Sequence, residues 1–199
     1  MISSIILAAG MSKRMIIGNK LLLEYKDKSI LENTIINLTS SNVSEIVVVL
    51  GHDFSSTSKI LKSTTFKIIN NTNYLKGMST SIVAGVKLIN LSSKGVMVCL
   101  ADMPLIKVST YNKLINKFNK ANDTKKIIIP TYKKQEGNPI LFGKYYFNFL
   151  LKLKGDKGAR DLIKDKKDSV ILVDVDDEGI VKDIDNYKDY EYLKKINYE

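Results

Sequence analysis

The chain has 199 residues, 44% of them hydrophobic, with one cysteine, one histidine and a formal net charge of +10. That length and apolar content suit one α/β domain with a sizeable core. The lone cysteine excludes an internal disulfide framework and a multi-cysteine zinc site. No apolar run approaches the ~20 residues of a membrane span. Lysines are spread along the whole chain, without an arginine-rich run or lysine–aromatic interleaving. Such charge suits the steering of a phosphorylated small molecule, and neither a nucleic-acid nor a membrane partner is expected. A strand begins at once and a basic loop follows it, so no signal peptide is visible and a cytoplasmic location is expected.

Residues 2–7 form a β-branched apolar run that reads as a buried strand. The chain then turns small, at Leu7, Ala8, Ala9 and Gly10, and after that basic, at Arg14 and Lys20. Small side chains let backbone N–H groups approach a ligand, and Gly10 is free to take a positive φ. Two cations on the same loop suit a triphosphate; a tight strand-to-helix turn with solvated basic residues would look the same. Residues 20–25 read as short and extended. Ser29 and Glu32 form a capping box that starts a helix through about Leu38. Strands follow at 45–50, ended by Gly51, and at 66–69. A helix runs from Met78 to about Ile89 with Met78, Ile82, Val86 and Ile89 on one face. Then come a strand at 96–100, a helix from Ser109 to Phe118 and a strand at 127–129. Continuous apolar strands alternating with helices predict a doubly wound, Rossmann-like, mostly parallel sheet with helices on both faces, in a single domain over residues 1–199.

Two further stretches carry chemistry. Asp102 and Pro104 sit just past the fourth strand's carboxyl end, where parallel sheets bind ligands. Asp102 there is placed either to cap the next turn or to hold a hard divalent cation. In the tail, Asp183 and Asp185 flank one apolar residue and share a face if extended. A helix follows with Tyr190, Leu193 and Ile196 inward, so that Asp185 or Asn186 is either its N-cap or, for Asp185, a second carboxylate for the same cation. The chain lacks a Walker-type glycine–lysine–serine/threonine loop and a dinucleotide glycine pattern. His52 reads as a turn residue and Cys99 as a small buried hydrophobe.

The set Leu7-Ala8-Ala9-Gly10, Arg14, Lys20, then Gly77 to Ser81, Leu100 to Pro104, and Asp183-Ile184-Asp185 resembles the MobA-like nucleotidyltransferases, in their molybdenum cofactor cytidylyltransferase (MocA-like) branch, over about residues 2–193. The resemblance implies transfer of CMP from CTP to the terminal phosphate of a phosphorylated pterin cofactor, with release of pyrophosphate. Implied as catalytic are Arg14, Lys20 and Asp102. Implied as nucleotide-binding are these three with Leu7, Ala8, Ala9, Gly10, Gly77 and Ser81. Magnesium is implied on Asp102 and Asp185, with Asp183 the other candidate for second ligand. Alanine at Ala9 resembles the cytidylyl enzymes, where guanylyl enzymes tend to have glycine. Asn138 and Pro139, in a stretch at 136–142 resembling a family loop, and Arg160, after a glycine-rich turn, are implied near the acceptor; Asn138 stands where histidine is frequent, and Arg160 reads equally as a surface helix residue. A molybdenum hydroxylase apo-enzyme is an implied partner. Alternatives on the same fold are GTP or another phosphorylated acceptor, such as a sugar phosphate, methylerythritol phosphate or phospholactate, or a non-catalytic accessory protein. Ile16 and Ile17 depart from the pattern before Gly18 and suggest an apolar lid.

Overall fold

The computed structural model describes residues 1–15, 18–61, 65–156 and 158–196. The Ile16–Ile17 pair, expected as a lid, lies outside the described residues. β1 (Ile2–Ala8) leads into the small-residue loop, then a 3-10 turn at Lys20–Leu22 and a hairpin of β2 (Glu24–Tyr25) and β3 (Lys28–Ser29). Residues 20–25, expected to be extended, start as a helical turn because Asn19 caps it, its Oδ1 accepting from the Leu21 N–H at 3.0 Å. α1 (Ile30–Thr39) starts on the expected capping box, with the Glu32 N–H on Ser29 Oγ at 3.1 Å and the Ser29 N–H on Glu32 Oε2 at 2.8 Å.

β4 (Glu45–Leu50), α2 (Phe54–Ile60), β5 (Lys67–Asn70), α3 (Met78–Leu88), β6 (Gly95–Leu100), α4 (Val108–Ala121) and β7 (Ile127–Tyr132) continue the alternation. They are followed by β8 (Gln135–Glu136), β9 (Ile140–Gly143), α5 (Phe147–Leu150), α6 (Arg160–Lys164), β10 (Val170–Asp174) and α7 (Tyr187–Ile196). The main sheet runs β10-β7-β9-β6-β1-β4-β5, with β8 beside β7. Its long strands pair parallel, as expected, except that β9 lies antiparallel between β6 and β7. The stretch at 136–142, expected as a loop, therefore ends in a core strand. All four β9 residues are buried, and Gly143 closes it because a Cβ there would stand 2.0 Å from the Thr124 carbonyl oxygen.

Successive strand residues point to opposite faces, so β1 divides the core. Ile6 packs with Leu31, Leu38 and Leu114 under α1 and α4, and Ile5 packs with Ile82 and Val86 under α3. A smaller cluster of Met15, Tyr25, Ile30, Ile184, Tyr190 and Leu193 pins the tail to the first loop. α3 comes close to the sheet through Gly85: a Cβ there would meet Ile5 Cγ2 at 2.8 Å. Met78, expected on one face with Ile82, Val86 and Ile89, is instead 44% exposed, in the first turn of the helix and next to Gly158.

Gly85→Ala should lower stability by about 1–3 kcal/mol, because the added methyl forces α3 away from β1 in a core with no slack. A urea midpoint unchanged from wild type would contradict that packing.

Candidate active site

The carboxyl ends of β1, β5 and β6 and the first turn of α3 enclose a cleft of about 520 Å³. Leu7, Ala8, Ala9, Gly10, Arg14, Lys20, Ser81 and Asp102 all line it, as do Asp183 and Asp185. The cradle works differently from the sequence expectation. Gly10 is not among the positive-φ residues; Ser12 takes that conformation, at φ 50°. What Gly10 supplies is room, since a Cβ there would meet nothing within 4 Å. Ser12 also ties the loop to the basic turn, its Oγ accepting from the Lys20 N–H at 3.2 Å. Gly18, at φ 101°, makes the turn between them. Ala9 is 6% exposed, and Gly51 lacks a Cβ where one would stand 2.7 Å from the Ala9 methyl.

Lys20 is the hinge of the electrostatics. Its Nζ donates to Asp102 Oδ2 at 2.5 Å and to Asp185 Oδ1 at 3.0 Å. Burial works against its charge, but Asp102 and Asp185 outweigh burial and hold the ammonium above its ordinary pKa range. Arg14, far more exposed, reaches Asp185 Oδ2 at 2.8 Å. Asp183 joins the other two aspartates: one carboxylate oxygen from each lies within 4.8 Å of the others. Burial, then the charges of Asp185 and Asp102, push the Asp183 carboxyl up. The other oxygen of Asp102, Oδ1, is buried and has no hydrogen-bond partner among the described residues. A hard oxygen donor left bare at the meeting point of three carboxylates fits a divalent cation, and Asp102, Asp183 and Asp185 could hold one.

Local structure explains the convergence. The Ala101 carbonyl accepts from buried Thr34 Oγ1 at 3.0 Å, and the Pro104 carbonyl accepts from Asn37 Nδ2 at 2.9 Å, so α1 grips both sides of the Asp102 loop. Ile184, 2% exposed, donates its N–H to the Asp102 carbonyl at 3.0 Å and brings both tail aspartates alongside. Asn186 is the N-cap of α7, accepting from the Lys188 and Asp189 N–H groups at 2.9 and 3.2 Å, which leaves Asp185 free for the cleft.

Gly77 does not line the cleft. Its φ is 108°, and a Cβ would stand 2.6 Å from the Gly155 carbonyl. The first N–H groups of α3 are taken and do not face the cleft openly: Met78 donates to Asp156 Oδ1 and Ser79 to the Gly155 carbonyl, each at 3.2 Å. Asn138 and Arg160 come together in an adjoining apolar pocket of about 160 Å³ that shares Leu7, Met78, Leu100 and Asp156 with the cleft. Pro139, joined to Asn138 by a cis bond, is buried and lines neither space. His52 stands on the turn expected of it and Cys99 is buried. Sequence reasoning missed Asp156, Tyr74 and Asn71. For Asn71 a signal existed, the polar run of residues 70–73 at a strand's carboxyl end.

The model of the MobA-like NTP transferase domain matches residues 4–170. The chain belongs to that family. Among curated relatives, the purine catabolism protein PucB of Bacillus subtilis (strain 168) is 27% identical over 203 residues, covering 96% of this chain and 95% of that one. The nicotine blue oxidoreductase of Paenarthrobacter nicotinovorans is 24% identical over 194 residues, covering 92% of each. Among solved structures, Rv0371c from Mycobacterium tuberculosis H37Rv in complex with manganese superposes with a TM-score of 0.81 at 22% identity, covering 98% of both chains. That likeness speaks to the fold, and this MobA-like chain is a nucleotidyltransferase-type Rossmann fold. Among the described residues no helix is long and apolar enough to cross a membrane.

Lys20→Met leaves three crowded carboxylates with Arg14 as their nearest counter-charge. Its thermal midpoint should fall by an amount equal to about 1–3 kcal/mol, and millimolar magnesium should recover most of the loss. A loss that magnesium leaves untouched would contradict the charge balance described.

Proposed function

We propose that this chain is a divalent-metal-dependent nucleotidyltransferase that moves CMP from CTP to the terminal phosphate of an acceptor, a phosphorylated pterin of the molybdenum cofactor type, and releases pyrophosphate. One observation carries the reading: Asp102, Asp183 and Asp185 meet beside a small-residue loop, with Asp102 Oδ1 buried and bare and two cations in contact. A phosphate oxygen of the acceptor attacks the α-phosphorus of CTP, the new P–O bond forms, and the bond to pyrophosphate breaks. The acceptor phosphate is already anionic near neutral pH, so the site needs no strong base. Its task is charge.

Gly10 and Met11 make no hydrogen bond within the described chain, so their amides are available to the triphosphate. Lys20 and Arg14 stand where they can pass from aspartate to phosphate oxygens. Magnesium on Asp102 and Asp185, with Asp183 as a third carboxylate, would supply the remaining neutralisation and hold the phosphate oxygens in line. CTP is preferred over GTP in this reading because Ala9 stands where, by the family resemblance, cytidylyl enzymes have alanine and guanylyl enzymes tend to have glycine. The acceptor extends over the adjoining apolar pocket, with Arg160 and Asn138 at its rim. Delivery of the product to a molybdenum hydroxylase apo-enzyme, in the cytoplasm, completes the proposal. One domain over residues 1–199 carries it all.

Pyrophosphate release measured for CTP, GTP and ATP against phosphorylated acceptors, with and without magnesium, should be highest for CTP with the pterin and should need the metal. Asp102→Ala should lose about 10²–10³-fold or more in turnover while unfolding at a midpoint near wild type. Full turnover in that variant would remove Asp102 from the chemistry, and pyrophosphate release with none of the three nucleotides would overturn the transferase reading.

A further inference from the structure

Asn71 is 5% exposed and stands just past the end of β5, its N–H donated to the Leu50 carbonyl at 2.8 Å. Its amide has one possible orientation. The Asn73 N–H can only donate, so the atom 3.0 Å from it must be Oδ1. Nδ2 therefore faces α3, and donates to Thr80 Oγ1 at 2.8 Å and to Ser81 Oγ at 2.9 Å. A hydroxyl that accepts from an amide must send its own hydrogen elsewhere. Thr80 has acceptors for it in the carbonyls of Asn73 and Gly77, at 3.1 and 2.9 Å. Ser81 has none within the described chain, yet it is only 4% exposed and lies on the cleft wall. Its hydrogen has the cleft as its outlet.

We propose that Asn71 is a positioning residue that fixes the Ser81 hydroxyl as a hydrogen-bond donor into the cleft, so that the pair selects a nucleotide presenting an acceptor there, a carbonyl oxygen or unprotonated ring nitrogen of a pyrimidine base. This rests on the nucleotidyl-transfer reading above and assigns the polarity of its base-recognition end.

Aspartate in place of Asn71 is nearly isosteric but only accepts. The Ser81 hydrogen then turns back to the carboxylate and leaves lone pairs facing the base. Calorimetric titration of CTP with magnesium into wild type and variants reads this directly. Ser81→Ala, which removes one hydrogen bond, should weaken binding about fivefold. Asn71→Asp should weaken it about twentyfold or more, because repulsion is added to the loss. The double variant should bind more tightly than Asn71→Asp alone, at the Ser81→Ala level. A merely structural role predicts the opposite, with the two losses multiplying, and that result would overturn the inference. If Asn71→Asp does not fold, Asn71→Ala replaces it: a loss seen with Ser81 present and absent in the Ser81→Ala background supports the inference, and equal losses in both overturn it. Wild type that binds CTP, with Asn71→Asp equal to it, overturns this inference alone; wild type that binds no nucleoside triphosphate overturns the transferase reading and this inference together.

Discussion

Three carboxylates with oxygens inside 4.8 Å of one another, and one lysine held between two of them, form the constraint around which this chain is arranged. Like charges at that spacing repel by up to about 3–4 kcal/mol per pair at an effective dielectric near 20, less where water reaches them. Nothing in the local sequence favours such crowding, so it must be imposed from outside. The imposing groups are mostly neutral and wholly or partly buried, joined by the Asp189 carboxylate, which accepts from the Asp185 and Asn186 N–H groups at 2.9 Å. Thr34 and Asn37 hold the Asp102 loop, Ile184 ties the tail to it through one backbone hydrogen bond, and the Asn186 cap with Tyr190 and Leu193 fixes the helix behind. Lys20 offsets part of the repulsion. A site kept tense this way has a ready affinity for any cation that brings more charge than one ammonium.

The two ends of the sheet divide the work. At the amino end, Glu45 is saturated: it accepts from Ser3 Oγ at 2.7 Å, the Asn90 N–H at 2.8 Å and Lys67 Nζ at 2.7 Å. Those contacts lock β1, β4 and β5 together, with both carboxylate oxygens of Glu45 engaged. At the carboxyl end the polar groups are under-used. Asp102 Oδ1 has no partner, Gly10 and Met11 make no bond, and the Ser81 hydrogen finds no acceptor in the described chain. The same contrast separates Asp177 from Asp102. Both are aspartates beyond strands, but Asp177 is 2% exposed and fully engaged by Lys107, Thr110 and Gly179, which makes it a structural brace. Buried hydroxyls of Thr57, Ser79 and Tyr111 also lack partners among the described residues, so what sets the cleft apart is a bare carboxylate oxygen beside unpaired backbone amides.

Local signals in the sequence were legible and tertiary ones were not. The β-branched runs of β1, β4, β6 and β7 and the Ser29–Glu32 box are decided within a few residues, and they stand as read. β9 is four residues long and carries no periodicity that separates it from a loop, whereas β10 does hold a strand signal, the apolar run from Val170 to Val173, for which no strand is predicted. α2 is a serine-rich turn of helix with no side-chain cap. The gathering of the aspartates could be anticipated only by likeness of motif order, since Asp102 and Asp185 are remote in the chain. The filling of the α3 N-terminus by Gly155 and Asp156 comes from far along the chain, 78 residues in the Met78–Asp156 bond, and leaves no trace near Gly77. Gly10 invited a conformational explanation, but it is the space beyond its Cα that the cleft uses.

The account stands or falls on whether those carboxylates share one ion. Electron paramagnetic resonance of manganese titrated into the nucleotide-free protein counts it directly, because protein-bound manganese loses the six-line signal of the free ion. The account predicts saturable loss of that signal in wild type, and loss weakened by about tenfold or more in affinity for both Asp102→Asn and Asp185→Asn. Manganese that binds the two variants as tightly as wild type would contradict it.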